Sequence, residues 1–428
     1  MKFLAERPVL SWALYDWANS AFATTVIAGF FPVFLKQYYA AEQSASETTF
    51  YLGLVNAIAS LVIVILAPFL GALADGASQR KRFLMIFAIL GIIMTAGLSL
   101  VAQGAWLAAL LLYLFAIVGF SGSNIFYDSL IMNVSTQADV DRVSSLGFAL
   151  GYLGGGVLFS FNLLLVLFPE SFGLAGATQA VQLSFISVAI WWAVFSLPVL
   201  LFVKEDNEKK SVTLELVRDS YKTVVMTVKH LRQLKMTFLF LLSYWFYIDG
   251  VDTIIRMAVD FGLAVGLESN GLLAALLITQ FIGFPAALLF GKIGQRKGPV
   301  FGIVICLVVY VLIVLWAYHL AEQWEFYLLA IGVGLVQGGI QSLSRSMFSR
   351  LVPVAHKSEF FGFYNMLGKF AAVMGPLLVG VVSLMTGDPR SGILSVLILF
   401  ALGGILLFKV NLEQGQRDAA AFKLEIMS

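Results

Sequence analysis

GALADGASQRKR, at residues 71–82, separates two long apolar runs and returns in altered form as GKIGQRKG at 291–298. Each copy is a glycine-led helix end followed by a short basic turn. Further along, NVSTQADVDRVSSLGFALG (133–151) parallels SRLVPVAHKSEFFGFYNML (349–367). The second copies follow the first by roughly half the chain, and this spacing predicts a fold built from two similar halves.

The composition indicates a membrane protein. Of 428 residues, 60% are hydrophobic and 12% are charged, against about 25% charged in soluble domains. A net charge of +2 gives no basic footprint for nucleic acid. One cysteine and three scattered histidines provide neither an intrachain disulfide nor metal-ligand spacing. No GxxxxGK[ST] loop or catalytic constellation is present, so we expect neither an enzyme nor an ATP-driven pump, and no cofactor.

Apolar runs of about 20 residues, long enough to cross a bilayer, recur along the chain. They predict an all-α membrane protein with twelve transmembrane helices in two pseudo-symmetric six-helix halves. The runs lie at 9–35, 50–72, 83–101, 105–132, 143–168, 180–203, 236–260, 269–290, 298–318, 325–348, 359–384 and 391–411.

The positive charges support this topology. With twelve spans, 22 of the 27 Lys and Arg residues fall on the side that holds both termini, and only Lys36 and Arg390 fall on the other. Basic residues concentrate on the cytoplasmic side of membrane proteins. Both termini are therefore expected to be cytoplasmic.

Domain boundaries follow from the one long polar connection. We expect an N-terminal six-helix half at 1–203, a cytoplasmic linker at 204–235 and a C-terminal six-helix half at 236–428. Apolar residues at helical spacing within the linker predict an amphipathic helix on the inner membrane surface. Binding of a calmodulin-like partner is the less favoured alternative for that segment.

The pattern of Gly71, Asp75 and Arg80 resembles the signature loop of the major facilitator superfamily. The resemblance implies that this loop takes part in gating rather than in binding a ligand. The loop departs from the usual pattern at Gly76, Ser78 and Gln79. In the second copy Gln295 replaces the acidic residue, so only the first copy is expected to make the gating interaction.

Two further motifs are more specific. YDWANSAF (15–22), followed by Phe31-Pro32, and SLSRSMFSRLVPVAHKSEFFGFYNMLGKF (342–370) resemble the vacuolar amino-acid effluxers linked to autophagy and their uncharacterised bacterial relatives. The similarity extends over nearly the whole chain. It implies solute transport, with amino-acid export as one form, and it implies that spans one, four, seven and ten line a central cavity.

Polar residues inside the spans identify the candidate site, because a charge at the bilayer centre is costly. Several share one helix face at spacings of three or four, and most lie in spans one, four, seven and ten. The candidates for substrate binding or proton coupling are Asp16, Asn19, Asn124, Asp128, Asp249, Asp252, Arg256, Gln341, Arg345, Asn365 and Lys369. Lys369, near mid-depth, is the preferred one.

Other interpretations of the same residues stay open. Arg256 stands four residues from both Asp252 and Asp260, so the three charges can neutralise one another within one helix. Asp128 and Arg345 come from different halves, and an ion pair at an inner gate is as well supported as substrate contact. Trp12 is expected to anchor at the membrane interface.

Gly147, Gly151 and Gly155 recur every fourth residue of span five. Small residues at this spacing allow close packing of helices, and we expect packing rather than a hinge.

The function predicted is secondary active transport of a small polar or zwitterionic solute by alternating access, in the form of proton-coupled amino-acid efflux. A transporter of a lipid, drug or organic anion, and a non-transporting sensor or scaffold on the same fold, are the alternatives. The expected partners are the solute, H⁺ and membrane lipids, with no nucleic acid. We expect a monomer, multi-pass in the cell membrane, which is the cytoplasmic membrane if the source is bacterial.

Overall fold

The computed structural model describes residues 7–43, 45–205 and 234–422, together with a few positions between 213 and 222. Every regular element in these ranges is helical. The amphipathic helix predicted within 204–235 lies, for most of its length, outside the described residues. The division at 1–203, 204–235 and 236–428 stays a prediction.

Each predicted apolar run falls on one of twelve helical segments in the described ranges, which we number in chain order. The segments are α1 Arg7–Tyr39, α2 Ala45–Ala77, α3 Arg80–Leu98, α4 Trp106–Ser129, α5 Val140–Leu167, α6 Ala177–Phe202, α7 Lys235–Ala264, α8 Ser269–Lys297, α9 Pro299–Ala317, α10 Gln323–Leu351, α11 Lys357–Thr386 and α12 Leu397–Phe408. A short helix, Pro389–Leu394, precedes α12, and α13 at Leu412–Ala421 follows it.

Ten helices among the described residues are long and apolar enough to cross a membrane. The number is eleven if α2, bent by 42° between Leu54–Ala67 and Phe69–Ala77, counts as one span. Within α11 the apolar helical stretch is shorter, Met374–Ser383. Twelve spans with cytoplasmic termini therefore stay a prediction.

The first helix is irregular beyond its first half. Arg7–Ala21 is α-helical, whereas Phe22–Phe30 and Leu35–Tyr39 have wider π-type turns on either side of Pro32. Proline lacks the N–H that an α-helix needs at this position, and π turns often occur where side chains serve a function. The irregular segment includes Ala23 and Thr24, which line the site described below.

Glycines allow α5 to lie directly against α1. A Cβ on Gly147, Gly151 or Gly155 would stand 2.6–2.7 Å from a side-chain oxygen of α1, closer than van der Waals contact permits. The predicted packing role of these glycines is confirmed. This close approach places α5 directly against the polar face of α1.

Helices before residue 205 meet helices after residue 234 along two seams, α2 and α4 against α11, and α5 against α8 and α10. One face of the bundle, which we call the basic end, holds Arg80–Arg82 at the start of α3 and Arg296 and Lys297 at the end of α8. Arg350, near the end of α10, lies at the same face. The polar contacts between the two groups of helices lie towards this end.

Candidate functional site

A polar cavity lies between the two groups of helices and encloses about 280 Å³. Both groups contribute to its wall, α1, α4 and α5 from one and α8, α10 and α11 from the other. The lining residues are Asp16, Asn19, Ser20, Ala23, Thr24, Phe120, Asn124, Tyr127, Asp128, Phe148, Gly151, Tyr152, Gln280, Gln337, Gln341, Arg345 and Asn365.

Arg345, from α10, is buried at one side of this cavity and is only 2% exposed. Its Nη1 donates to Asp128 Oδ1 at 3.0 Å and to Asp16 Oδ2 at 3.4 Å. Its Nη2 donates to Asp16 Oδ2 at 3.4 Å and to the Ser144 carbonyl at 2.8 Å, and its Nε donates to Ser144 Oγ at 2.9 Å. A guanidinium has five N–H donors, so every one of them is engaged.

The two carboxylates bring further partners. Tyr127 Oη donates to Asp16 Oδ2 at 2.7 Å, so this single oxygen accepts three hydrogen bonds. Asp128 Oδ2 accepts from Asn365 Nδ2 of α11 at 3.1 Å. Asp16 Oδ1, by contrast, accepts no hydrogen bond from any residue that the structure describes. The predicted contact of Asp128 with Arg345 is present, and it joins the two groups of helices.

Aromatic rings surround the guanidinium. The Cζ atom of Arg345 lies 4.2, 4.8 and 5.5 Å from the ring centroids of Phe148, Trp12 and Tyr127, which are distances of cation–π contact. Trp12 is fully buried, and its Nε1 donates to the Tyr127 carbonyl at 2.9 Å. The prediction that Trp12 anchors at the membrane interface is therefore wrong, because its indole ring stacks inside the bundle.

Carboxamides dominate the rest of the cavity wall. Asn19 Nδ2 donates to Asn124 Oδ1 at 2.6 Å, and Tyr152 Oη donates to Gln341 Oε1 at 3.0 Å. Six of the lining residues are Asn or Gln, and each amide offers donors as well as acceptors. Such a wall suits a small solute with several polar groups.

The structure places the remaining candidates elsewhere or leaves them undescribed. Asp249 on α7 is 1% exposed and accepts from the Gly375 backbone N–H of α11 at 2.9 Å. Asp252 is half-buried and Arg256 is exposed. Lys369 belongs to α11, but its side chain lies outside what the structure describes. Seven of the eleven predicted residues therefore line the cavity, and three described ones, all on α7, do not.

The signature loop makes the first of two polar contacts at the basic end. Gly71 is buried within α2. Arg80 Nε donates to Asp75 Oδ1 at 2.7 Å, and Asp75 Oδ2 accepts from the Ser358 backbone N–H at 2.7 Å. Ser358 lies in the first turn of α11, where an anion is favoured by the helix dipole. Asp75 thus binds α2 to the start of α11.

The second contact joins α5 and α10. Asp141, in the first turn of α5, is fully buried. It accepts from Arg350 Nη2 at 2.7 Å and from Ser346 Oγ at 2.6 Å. Gln295, the counterpart of the acidic loop residue, is directed instead at the Ala138 carbonyl, 3.4 Å from its Nε2.

Sequence reasoning missed several of these residues. Tyr127, Ser144, Ser346 and Arg350 carry no signal of their own, because hydroxyls and a basic residue at a helix end are common. Asp141 stands inside the repeated motif at 133–151. An acid at the start of a helix is a signal that a comparison of the two copies could have used. No group of three or more His, Cys, Asp or Glu able to hold a metal ion occurs in the described part of the chain.

Comparison with known proteins agrees with these motifs. A family model described as "Vacuole effluxer Atg22 like" matches residues 43–137 and 132–420. The uncharacterized MFS-type transporter YxiO of Bacillus subtilis is 39% identical over 400 residues, which are 93% of each protein. Autophagy-related protein 22 of Yarrowia lipolytica is 30% identical over 322 residues, which are 68% of this chain. The chain covers 54% of that fungal protein.

Among solved structures, the human organic anion transporter MFSD10 superposes with a TM-score of 0.74 at 14% identity, covering 94% of this chain and 99% of that one. At this identity the likeness shows the fold alone. The motifs at 15–22 and 342–370 supply Asp16, Arg345 and Asn365 to the cavity, so the residues that carry the family resemblance also build the site. The chain belongs to the Atg22-like family, and it is a multi-pass membrane transporter of the MFS type rather than an enzyme.

Proposed function

We propose that this chain is a secondary active transporter that moves a small polar or zwitterionic solute by alternating access, and that its solute is an amino acid. The observation that carries the proposal is the polar cavity, whose wall comes from both groups of helices. Transporters of this fold bind substrate at the interface of two halves that rock against each other. In this proposal the halves are 1–203 and 236–428, with twelve spans and cytoplasmic termini in the cell membrane.

Two polar contacts at the basic end, together with the Arg345 contact at the cavity wall, support a state in which the cytoplasmic side is closed. Arg345 binds Asp16 and Asp128, Asp75 binds the start of α11, and Asp141 binds Arg350. All three contacts join a helix before residue 205 to one after residue 234. Opening on the cytoplasmic side requires that they separate, so they form the inner gate of the proposed cycle.

The chemistry of the cavity supports an amino acid as the solute. Its volume of about 280 Å³ suits one small molecule rather than a lipid, and its amides offer both donors and acceptors. Lys369, one helical turn beyond Asn365 on α11, is the proposed partner of the solute carboxylate. Asp16 is the proposed partner of the solute amino group, and Asp249 is the proposed acceptor of the coupling proton.

Flux in proteoliposomes tests the proposal. Purified protein is reconstituted, and counterflow of a panel of labelled amino acids is measured with and without a pH gradient. We expect flux of at least one amino acid, stimulated by the gradient. Lys369→Ala is expected to abolish it, whereas Lys409→Ala, a matched change at an exposed lysine after α12, keeps it. Absence of flux for every amino acid from either side would exclude this solute class.

An organic anion is the second candidate solute, because the human protein with the same fold is named as an organic anion transporter. The engagement of all five Arg345 donors disfavours it in the state described here. The same liposomes loaded with a labelled dicarboxylate separate the two solutes. A sensor without flux would show neither transport nor any effect of changes in the cavity.

A further inference from the structure

The two carboxylate oxygens of Asp16 differ in their hydrogen bonds. Oδ2 accepts from Tyr127 Oη at 2.7 Å and from both terminal nitrogens of Arg345 at 3.4 Å. Oδ1 accepts nothing from the residues that the structure describes, although Asp16 is 8% exposed and lines the cavity. A carboxylate oxygen at a cavity wall with no donor is a site for one.

Arg345 is the one described cation of the cavity wall, and unlike Asp16 it has no unengaged hydrogen-bonding group. Its five N–H groups are all engaged with Asp16, Asp128 and Ser144. A solute carboxylate would find no donor there unless one of these bonds broke. The free charged group that faces the solute is therefore the anion of Asp16 and not the cation of Arg345.

We propose that Asp16 links the cavity to the inner gate: Oδ1 binds the protonated amine of the solute while Oδ2 holds Arg345, and occupancy of Oδ1 weakens the hold on Arg345. This inference rests on the proposed function and specifies how its site works. An ammonium and a guanidinium on one carboxylate share a single negative charge and repel each other. Burial away from water strengthens both effects.

The amide neighbours of Asp16 complete the amine site. Asn19 lies three residues further along α1, and its Nδ2 is used by Asn124, which leaves its carbonyl oxygen as an acceptor. An ammonium has three N–H donors, and one carboxylate oxygen with an amide carbonyl satisfies two of them. Asp16 Oδ1 and the Asn19 carbonyl oxygen thus offer acceptors to a cation, whereas Arg345 offers an anion no unengaged N–H.

The proposal predicts the sign of a coupling. If the amine and Arg345 compete for Asp16, linkage requires that each weakens binding of the other by the same factor. Removing Arg345 should therefore tighten binding of an amine. If Arg345 instead received the carboxylate of the solute, the same change should weaken binding of the zwitterion. The two models predict opposite effects of one substitution.

Calorimetric titration of the full-length protein in detergent tests this sign. The probes are matched triplets built on alanine, leucine, glutamine and lysine: the amino acid, its amide and its N-acetyl derivative. We expect the amino acid or its amide to bind in at least one triplet, with the N-acetyl compound at least about tenfold weaker, the scale of one charge-assisted hydrogen bond. Asp16→Asn should lose about tenfold in affinity for the amide, whereas Glu170→Gln, at an exposed residue, should lose none.

Arg345→Gln should raise the affinity for the amide several-fold while stopping flux in liposomes. Because this change leaves two buried carboxylates and can prevent folding, Ser144→Ala provides a milder test. It removes the Oγ acceptor of Arg345 Nε and should raise the affinity about twofold.

Other results would overturn the inference. Preferred binding of the N-acetyl compounds, or weaker amide binding in Ser144→Ala, would assign the solute contact to Arg345, and transport itself would stand. Failure of all triplets to bind, in a preparation that transports the dicarboxylate, would exclude the amine site. Absence of flux for every solute would refute the proposed function, and the inference with it.

Discussion

The two polar contacts at the basic end differ in where the acid is placed. In the first, Asp75 near the end of α2 binds Arg80 and the Ser358 backbone N–H of α11. In the second, Gln295 stands at the corresponding position near the end of α8, and the acid is Asp141 at the start of α5, bound to α10. The acid of the first contact lies near the end of α2, and the acid of the second lies at the start of α5.

In the proposed cycle, this difference would let both contacts close the inner gate although the second copy of the motif lacks the acidic residue. The contact of Asp75 with α11 uses a backbone N–H in the first turn of that helix, where the helix dipole favours an anion. A buried helix carboxylate needs side chains, here Ser346 and Arg350. The second contact therefore depends on side chains from a distant part of the sequence, and we expect it to be the costlier one to break.

Among the changes that test this comparison, Asp141→Ala should lower the free energy of unfolding the most. It leaves Arg350, whose side chain is 10% exposed, without its carboxylate, and breaking a buried pair costs about 3–5 kcal/mol. Unfolding in detergent should show a loss of that size. Glu413→Ala removes a surface pair with Arg417 and should change stability by about 0.5 kcal/mol or less. A loss below about 1 kcal/mol for Asp141→Ala would refute the ranking.

Asp75→Asn should weaken the first contact by about 1.5–3 kcal/mol, because a charged acceptor is replaced by a neutral one. Closure can be read from Ser129 and Ser358, whose hydroxyl oxygens are 2.9 Å apart. With Cys306→Ala as background, Ser129→Cys combined with Ser358→Cys should cross-link when the basic end is closed. Adding Asp75→Asn should reduce the cross-linked fraction, and an unchanged fraction would show that Asp75 does not hold the basic end closed.

Gly298→Ala tests the turn between α8 and α9. Gly298 has φ +87° and ψ 154°, a conformation nearly restricted to glycine, and no heavy atom beyond its two neighbours in the chain lies within 4 Å of an added Cβ. The expected loss of about 1–3 kcal/mol comes from the backbone alone. A thermal unfolding curve that matches the wild type would show that the turn can adopt another conformation.

Ser78→Gly tests the corresponding strain in the first loop and should have the smallest effect, with the opposite sign. Ser78 has φ +52°, which costs an ordinary residue about 1–2 kcal/mol. Glycine removes this strain but loses about 0.5–1 kcal/mol to the entropy of its unfolded chain. A net gain of about 0.5–1 kcal/mol is expected in the free energy of unfolding, and a destabilised variant would assign a necessary contact to the Ser78 hydroxyl.

Much of the fold could be predicted because apolar length is a local property. The run predicted at 9–35 became α1 at Arg7–Tyr39, and the run at 298–318 became α9 at Pro299–Ala317. The polar stripes of α1, α4 and α10 were also recognisable, since residues three or four apart share a helix face. The stripe of α7 does not line the cavity, because periodicity does not say which neighbour a face meets: Asp249 meets the backbone of α11.

The sequence by itself determined that this chain is an all-helical membrane transporter of the Atg22-like family, because hydrophobic length, charge asymmetry and two motifs are written along the chain. Only the tertiary structure decided which charges meet. Asp16 and Arg345 are 329 residues apart, and their contact depends on how α1, α5 and α10 pack. The same packing engages every donor of Arg345 and leaves one oxygen of Asp16 facing the cavity, which no local pattern encodes.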